Sequence, residues 1–107
     1  KQKVSYIHWL GIIIMKNRIE IFDSLGFKSK IFQKEKIKLY HFLRKYRETH
    51  TVYITPKIQP VKSLLCGIYC AFFLFRRLKS SFKSCVTLFS KNLCKNDSLL
   101  LKHVTDL

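Results

Sequence analysis

The chain has 107 residues, 48% of them hydrophobic and 14% aromatic, which suffices for one hydrophobic core and excludes an intrinsically disordered chain. Lysine and arginine number 21 against 6 acidic residues, a formal charge of +15, so the surface attracts anions, whether as a solvated lysine-rich face or as a recognition surface. The longest apolar stretch, Leu64 to Phe75, has 12 residues where a helical membrane span needs roughly 20, so no membrane partner is expected.

The chain opens "KQKVSYIHW", without methionine, and strand-like sequence begins almost at once. There is no room for a signal peptide, and upstream sequence is expected to be missing. Without a secretory signal, Cys66, Cys70, Cys85 and Cys94 read as reduced intracellular thiols and not as a disulfide framework. No zinc or other metal is expected, because there is no C-x-x-C pair and no histidine at finger spacing. Residues 1–107 are expected to form a single domain.

In chain order, Tyr6 to Phe22 reads as a β-hairpin: "YIHWLGIIIM" is rich in β-branched and aromatic residues, "KN" can turn, and "RIEIF" alternates. "DSLGF" breaks that pattern. Lys28 to Tyr46 then places Ile31, Phe32, Leu39, Phe42, Leu43 and Tyr46 mostly at helical spacing, predicting an amphipathic helix. Its basic face would carry Lys28, Lys30, Lys34, Lys36, Lys38, Arg44, Lys45 and Arg47. "HTVYIT", residues 50–55, is a short strand stopped by Pro56, and Pro60 keeps "KIQPVKS" a loop. Ser63 is placed to cap the next helix, Leu64 to Leu78, which is apolar all round until its arginines and so predicts a central buried helix. One further helix, Phe82 to Leu93, precedes a weakly determined tail. The expected architecture is α+β, with helices packed on a small antiparallel sheet.

"IQPVKSLLCGIYCAFF" places Cys66 at the head of that buried helix. A thiol there meets unpaired backbone N–H groups and the positive end of the helix dipole, both of which favour the thiolate. Gly67 would let a substrate backbone approach. The Cys66 amide and the Gln59 side chain can both donate to a developing oxyanion. A thiol nucleophile also needs a base and the base an orienting group. His8 on the first hairpin strand and Asp23 after the second fall opposite each other if the turn is centred on residues 15 and 16. Trp9 would lie beside the imidazole and shield it. Each residue alone has an ordinary explanation: a core cysteine, a strand histidine, a turn aspartate. His41, His50 and His103 are expected to be surface residues.

In this order, "HWLGIIIMKNRIEIFDSLGF" and "IQPVKSLLCGIYCAFFLF" resemble the adenovirus protease (adenain) family among the cysteine proteases of the ubiquitin-like-protein-protease type. The resemblance covers residues 6–78. It implies a catalytic triad of His8, Asp23 and Cys66 with Gln59 at the oxyanion hole. The "FDSLGF" element, the seven-residue step from Gln59 to Cys66, and Leu65 in place of the aspartate usual in SUMO proteases favour the adenain branch. The resemblance further implies a monomeric thiol endopeptidase that cleaves structural precursors of a DNA virus or virus-like element, within the cell, in the nucleus or virion. No bound cofactor is implied, although DNA or a disulfide-linked peptide activates such enzymes; none of the four cysteines precedes the Gln59 loop, where that disulfide forms. Two alternatives are a SUMO-type protease and an inactive remnant that binds nucleic acid without sequence preference through its basic residues.

Overall fold

The computed structural model describes residues 8–26, 33–60 and 62–107. Strands β1 (Gly11–Ile14) and β2 (Arg18–Phe22) form the expected antiparallel hairpin. His8, Trp9 and Leu10 precede β1 instead of lying on it, and positions 6 and 7 of the expected strand lie outside the described residues. The tight turn is Lys16–Asn17, closed by Met15 N–H donating to the Arg18 carbonyl at 2.8 Å. Gly11 therefore opposes Phe22 and Ile14 opposes Ile19, a register displaced by two residues from the one that puts His8 opposite Asp23.

Strand β3 (Thr51–Ile54) pairs parallel to β2, so the three-stranded sheet, ordered β1-β2-β3, is mixed and not antiparallel as expected. The reason is the intervening helix α1 (Gln33–Arg44): a helical crossover lets the chain return in the same direction, which a hairpin cannot do. Of the longer helix expected from Lys28, the stretch 28–32 lies outside the described residues.

Strand β2 is buried on both faces. Ile19 and Ile21 meet Leu39, Phe42, Leu43 and Tyr46 around α1. On the opposite face Phe22 stacks on Phe73 at 5.1 Å, and Glu20 is clasped by Arg77. Helix α2 (Cys66–Arg77) thus covers the second face, with Tyr69, Phe72 and Phe73 buried in the larger core beside Ile58, Cys85 and Leu100. Contrary to the expected all-round burial, Ile68, Ala71, Leu74 and Phe75 on the other side of α2 are exposed.

The C-terminal third is more ordered than its sequence suggests. Helix α3 is short (Phe82–Thr87), with Ser81 capping it by accepting from Ser84 N–H, in place of a helix running to Leu93. A 3-10 turn (Leu93–Lys95) leads into α4 (Asn96–Thr105), in place of a weakly determined tail. Two features anchor α4: Leu100 is fully buried, and the Asn96 amide donates to the carbonyls of Ile58 and Ser90. His50 and His103 are half-buried and not surface residues; their Nε2 atoms lie 2.8 Å and 3.0 Å from the Met15 and Leu88 carbonyls. The architecture is α+β, a three-stranded mixed sheet with helices on both faces. Among the described residues no helix is long and apolar enough to cross a membrane.

Candidate active site

Three chain segments converge at the N-terminus of α2. Cys66 is the first residue of that helix, so its amide has no intrahelical acceptor. His8, just before β1, places Nδ1 3.1 Å from Cys66 Sγ and Nε2 2.9 Å from Asp23 Oδ1. The displaced hairpin register does not prevent this contact, because His8 reaches Asp23 from the chain just before the strand.

Asp23 is held in turn by its surroundings. Its backbone N–H donates to Thr55 Oγ1 at 2.8 Å, and that hydroxyl donates to the Asp23 carbonyl at 2.9 Å. Leu25 N–H donates to Asp23 Oδ1 at 3.2 Å. The turn closes with Gly26 N–H on the Asp23 carbonyl. Gly26 sits at φ +81°, and a β-carbon there would press on the Lys57 backbone, so this turn requires glycine.

The electrostatics favour charge separation. Burial opposes the charged imidazole, but hydrogen bonds to Asp23 and Cys66 and the aspartate's charge outweigh it and raise His8 to about 9. Burial likewise pushes the Cys66 thiol up. Hydrogen bonds from His8 and the Trp9 N–H at 3.2 Å, with the imidazolium's charge, bring it below the usual thiol value. The arrangement favours a thiolate beside an imidazolium. Cys70, one turn along the same helix, is pushed up by burial and by the neighbouring Cys66.

Gln59 is buried against this corner from the loop before α2. Its Oε1 accepts from Ser24 Oγ at 2.6 Å, and its Nε2 donates to the Ser63 carbonyl at 2.9 Å. Ser63 does not cap α2: Leu65 occupies the cap position without a side-chain bond, while Ser63 Oγ donates to Asp97 Oδ1 of α4 at 2.9 Å. Tyr69 OH donates to the same carboxylate oxygen at 2.8 Å.

A shallow groove of about 640 Å³ adjoins Cys66, lined by Trp9, Leu64, Gly67, Ile68, Ala71 and Leu74. Gly67 does not leave open space for a substrate backbone directly above it. The Trp9 ring fills that space, 3.3 Å from where a β-carbon would stand. Trp9 is 57% exposed, so it walls the groove more than it seals the imidazole.

Among the described residues the expected basic face is interrupted at Lys36. Lys38, Arg44 and Lys45 of α1 are exposed, as is Arg47 just beyond it, but Lys36 is only 6% exposed and is not on the outward face. Lys34 lies on α1, and Lys28 and Lys30 lie outside the described residues. Lys45 Nζ stands 4.7 Å over the Phe42 ring, and Arg47 pairs with Glu48 at 3.4 Å. Among the described residues no group of three or more His, Cys, Asp or Glu side chains is arranged to hold a metal ion.

Ser24, Thr55 and Asp97 belong to this corner although no sequence pattern nominates them. Ser24 is visible only as part of a turn, and nothing local marks Thr55 or Asp97, since their partners lie 32 and 34 positions away in the chain. Compared with protein-family models, curated proteins and solved structures, the chain matches none.

Proposed function

We propose that the protein is a cysteine endopeptidase. The observation that carries this reading is the Cys66 thiol 3.1 Å from His8 Nδ1, with Asp23 2.9 Å from the other ring nitrogen. A thiol core residue needs no such partner, whereas a nucleophile needs both a base and an orienter.

In this reading the His8–Cys66 pair rests as imidazolium and thiolate. The thiolate attacks the peptide carbonyl carbon, a C–S bond forms, and the carbonyl electrons move onto oxygen. The Cys66 amide and the second hydrogen of Gln59 Nε2 stabilise that oxyanion. Collapse breaks the C–N bond as His8 gives its proton to the leaving amine. Water, deprotonated by His8, then hydrolyses the thioester and restores the thiolate. Asp23 holds the ring and supports its charge throughout. The substrate is a polypeptide, and by the resemblance to the adenain family it is a structural precursor of a DNA virus or virus-like element, cut by a monomer in the nucleus or virion. The apolar groove beside Cys66 supports a substrate that lays uncharged side chains along α2.

The test is the order of thiol alkylation by iodoacetamide at pH 6, mapped by mass spectrometry. Cys94 is exposed, whereas Cys66, Cys70 and Cys85 are buried, so access alone favours Cys94. Cys66 is expected to react first, because only a thiolate is nucleophilic at that pH, and His8→Ala is expected to abolish the preference. Cys94 reacting first in the wild type would exclude a thiol protease. Labelling of Cys66 by a ubiquitin or SUMO C-terminal probe would move the assignment to the ubiquitin-like-protein proteases.

A further inference from the structure

Ser24 joins the two halves of the candidate site. It is 3% exposed. Its carbonyl accepts the N–H groups of Ile58 and Gln59, each at 2.8 Å. Its hydroxyl lies 2.6 Å from Gln59 Oε1 and 3.9 Å from Cys66 Sγ. A serine hydroxyl has one hydrogen to donate, and the shorter contact directs it to Gln59.

The opposite end of the Gln59 amide faces the Ser63 carbonyl, which can only accept, so Nε2 is the atom at that end. The planar amide is therefore pinned at both ends: Oε1 by Ser24 and Nε2 by Ser63. Ser63 is itself tied to α4 through Asp97. Two anchors define the amide plane, and the plane defines where the second Nε2 hydrogen points. We propose that Ser24 is a positioning residue that aims the Gln59 amide at the oxyanion formed on attack by Cys66; this rests on the endopeptidase reading. Ser24 touches neither the carbonyl nor the leaving group. It acts by satisfying Oε1, which without a donor would be a buried carbonyl oxygen free to turn the amide.

Two reagents separate this role from a merely structural one. Iodoacetamide alkylates a thiolate by displacement at carbon and generates no oxyanion. p-Nitrophenyl acetate acylates it through a tetrahedral oxyanion: the C–S bond forms, the ester C–O bond breaks and p-nitrophenolate leaves, after which water hydrolyses the acetyl thioester. Ser24→Ala is expected to keep the wild-type alkylation rate and pH profile of Cys66 while its acylation slows about 10-fold, a loss in kcat with KM unchanged. Gln59→Ala is expected to slow acylation about 10²- to 10³-fold. The double variant should be no slower than Gln59→Ala alone, because Ser24 then has nothing to aim. Ser24→Thr, which keeps the hydroxyl, should stay within about 3-fold of wild type, short of the effect of losing a hydrogen bond.

Wild-type acylation rate in Ser24→Ala would overturn the Ser24 role alone. Parallel loss of alkylation and acylation in that variant would also overturn it, since Ser24 would then serve only the fold. If wild-type Cys66 takes neither reagent ahead of Cys94, the endopeptidase reading fails and the positioning role with it.

Discussion

Strand β2 and the turn after it bury two carboxylates, Glu20 and Asp23, and give them opposite partners. Glu20 accepts from Arg77 Nε at 2.7 Å, Arg77 Nη2 at 3.1 Å and Arg18 Nη2 at 2.8 Å. Arginine stays protonated at every relevant pH, and the carboxylate raises Arg77 further, so this cluster is a fixed clasp between β2 and α2. Asp23 instead faces His8, whose imidazolium can lose its proton and whose second nitrogen touches a thiol. Burying a carboxylate beside a cation therefore makes structure when the cation is permanent. In the proposed endopeptidase reading it makes chemistry when the cation can give its proton away.

Four expected outcomes sharpen or break that contrast. The largest is at Cys66: Cys66→Ala should lower peptide cleavage by at least about 10⁴-fold, as removal of a nucleophile from a coupled triad does. Retained cleavage in a peptide assay would move the chemistry elsewhere. Next, Arg77→Ala should destabilise the fold by about 3 kcal/mol, because it leaves Glu20 fully buried with Arg18 as its remaining partner. A midpoint lower by roughly 15 °C in thermal unfolding would register this. The pH at which Cys66 reacts should not move, and a shift there would show that the two clusters are coupled.

The third outcome concerns stability against pH. His8 is raised from 6.5 to about 9, so its contribution is complete below pH 6.5 and is lost as pH rises through about 9. Cys66 is lowered from 9.0, so its contribution is complete above pH 9 and is lost as pH falls through its folded value. Where the pH lies between 6.5 and 9 and above the folded value of Cys66, the folded pair holds imidazolium and thiolate while the unfolded chain holds imidazole and thiol. Both carry one proton, and the two slopes cancel. In that window wild-type stability in urea should change little from this pair. In Cys66→Ala, Asp23 still raises His8 but no thiol offsets it. Stability should then fall with rising pH, by roughly 1.4 kcal/mol for each unit by which His8 remains raised. A flat profile in that variant would show that Asp23 does not support the imidazolium.

The smallest effect is at Gly67. An alanine β-carbon there would stand 3.3 Å from the Trp9 ring, while the helix gains from losing a glycine. The two should nearly cancel, leaving stability within about 1 kcal/mol of wild type and a changed Trp9 fluorescence as the ring shifts.

Much of this was legible in particular residues. The β-branched run before Lys16 and the alternation after Asn17 were sufficient for a hairpin, and the apolar run after Leu65 for a helix with Cys66 in its first turn. Register was harder. Centring the turn one position too early displaced the pairing by two residues, because each residue of turn position counts twice across a hairpin. Glu20 was hidden by its own polarity: in an alternating strand a glutamate marks a wet face, yet here α2 supplies Arg77 from 57 positions away. The tail after Leu93 carried little signal, because α4 owes its place to Leu100 and Asn96 entering a core built by other segments.

Short-range preferences, which act over a few residues through dihedral limits, caps and side-chain period, were enough to place the hairpin, β3 and α2 with Cys66 at its head, while the order of His8, Asp23, Gln59 and Cys66 and its resemblance to a protease family nominated the site. The parallel return of β3, the burial of Lys36, the exposed apolar side of α2, and the bonds that hold Gln59 through Ser24 and Ser63 depended on which segments meet. Burial and hydrogen-bond satisfaction are settled by partners distant in the chain, and no local pattern encodes a partner.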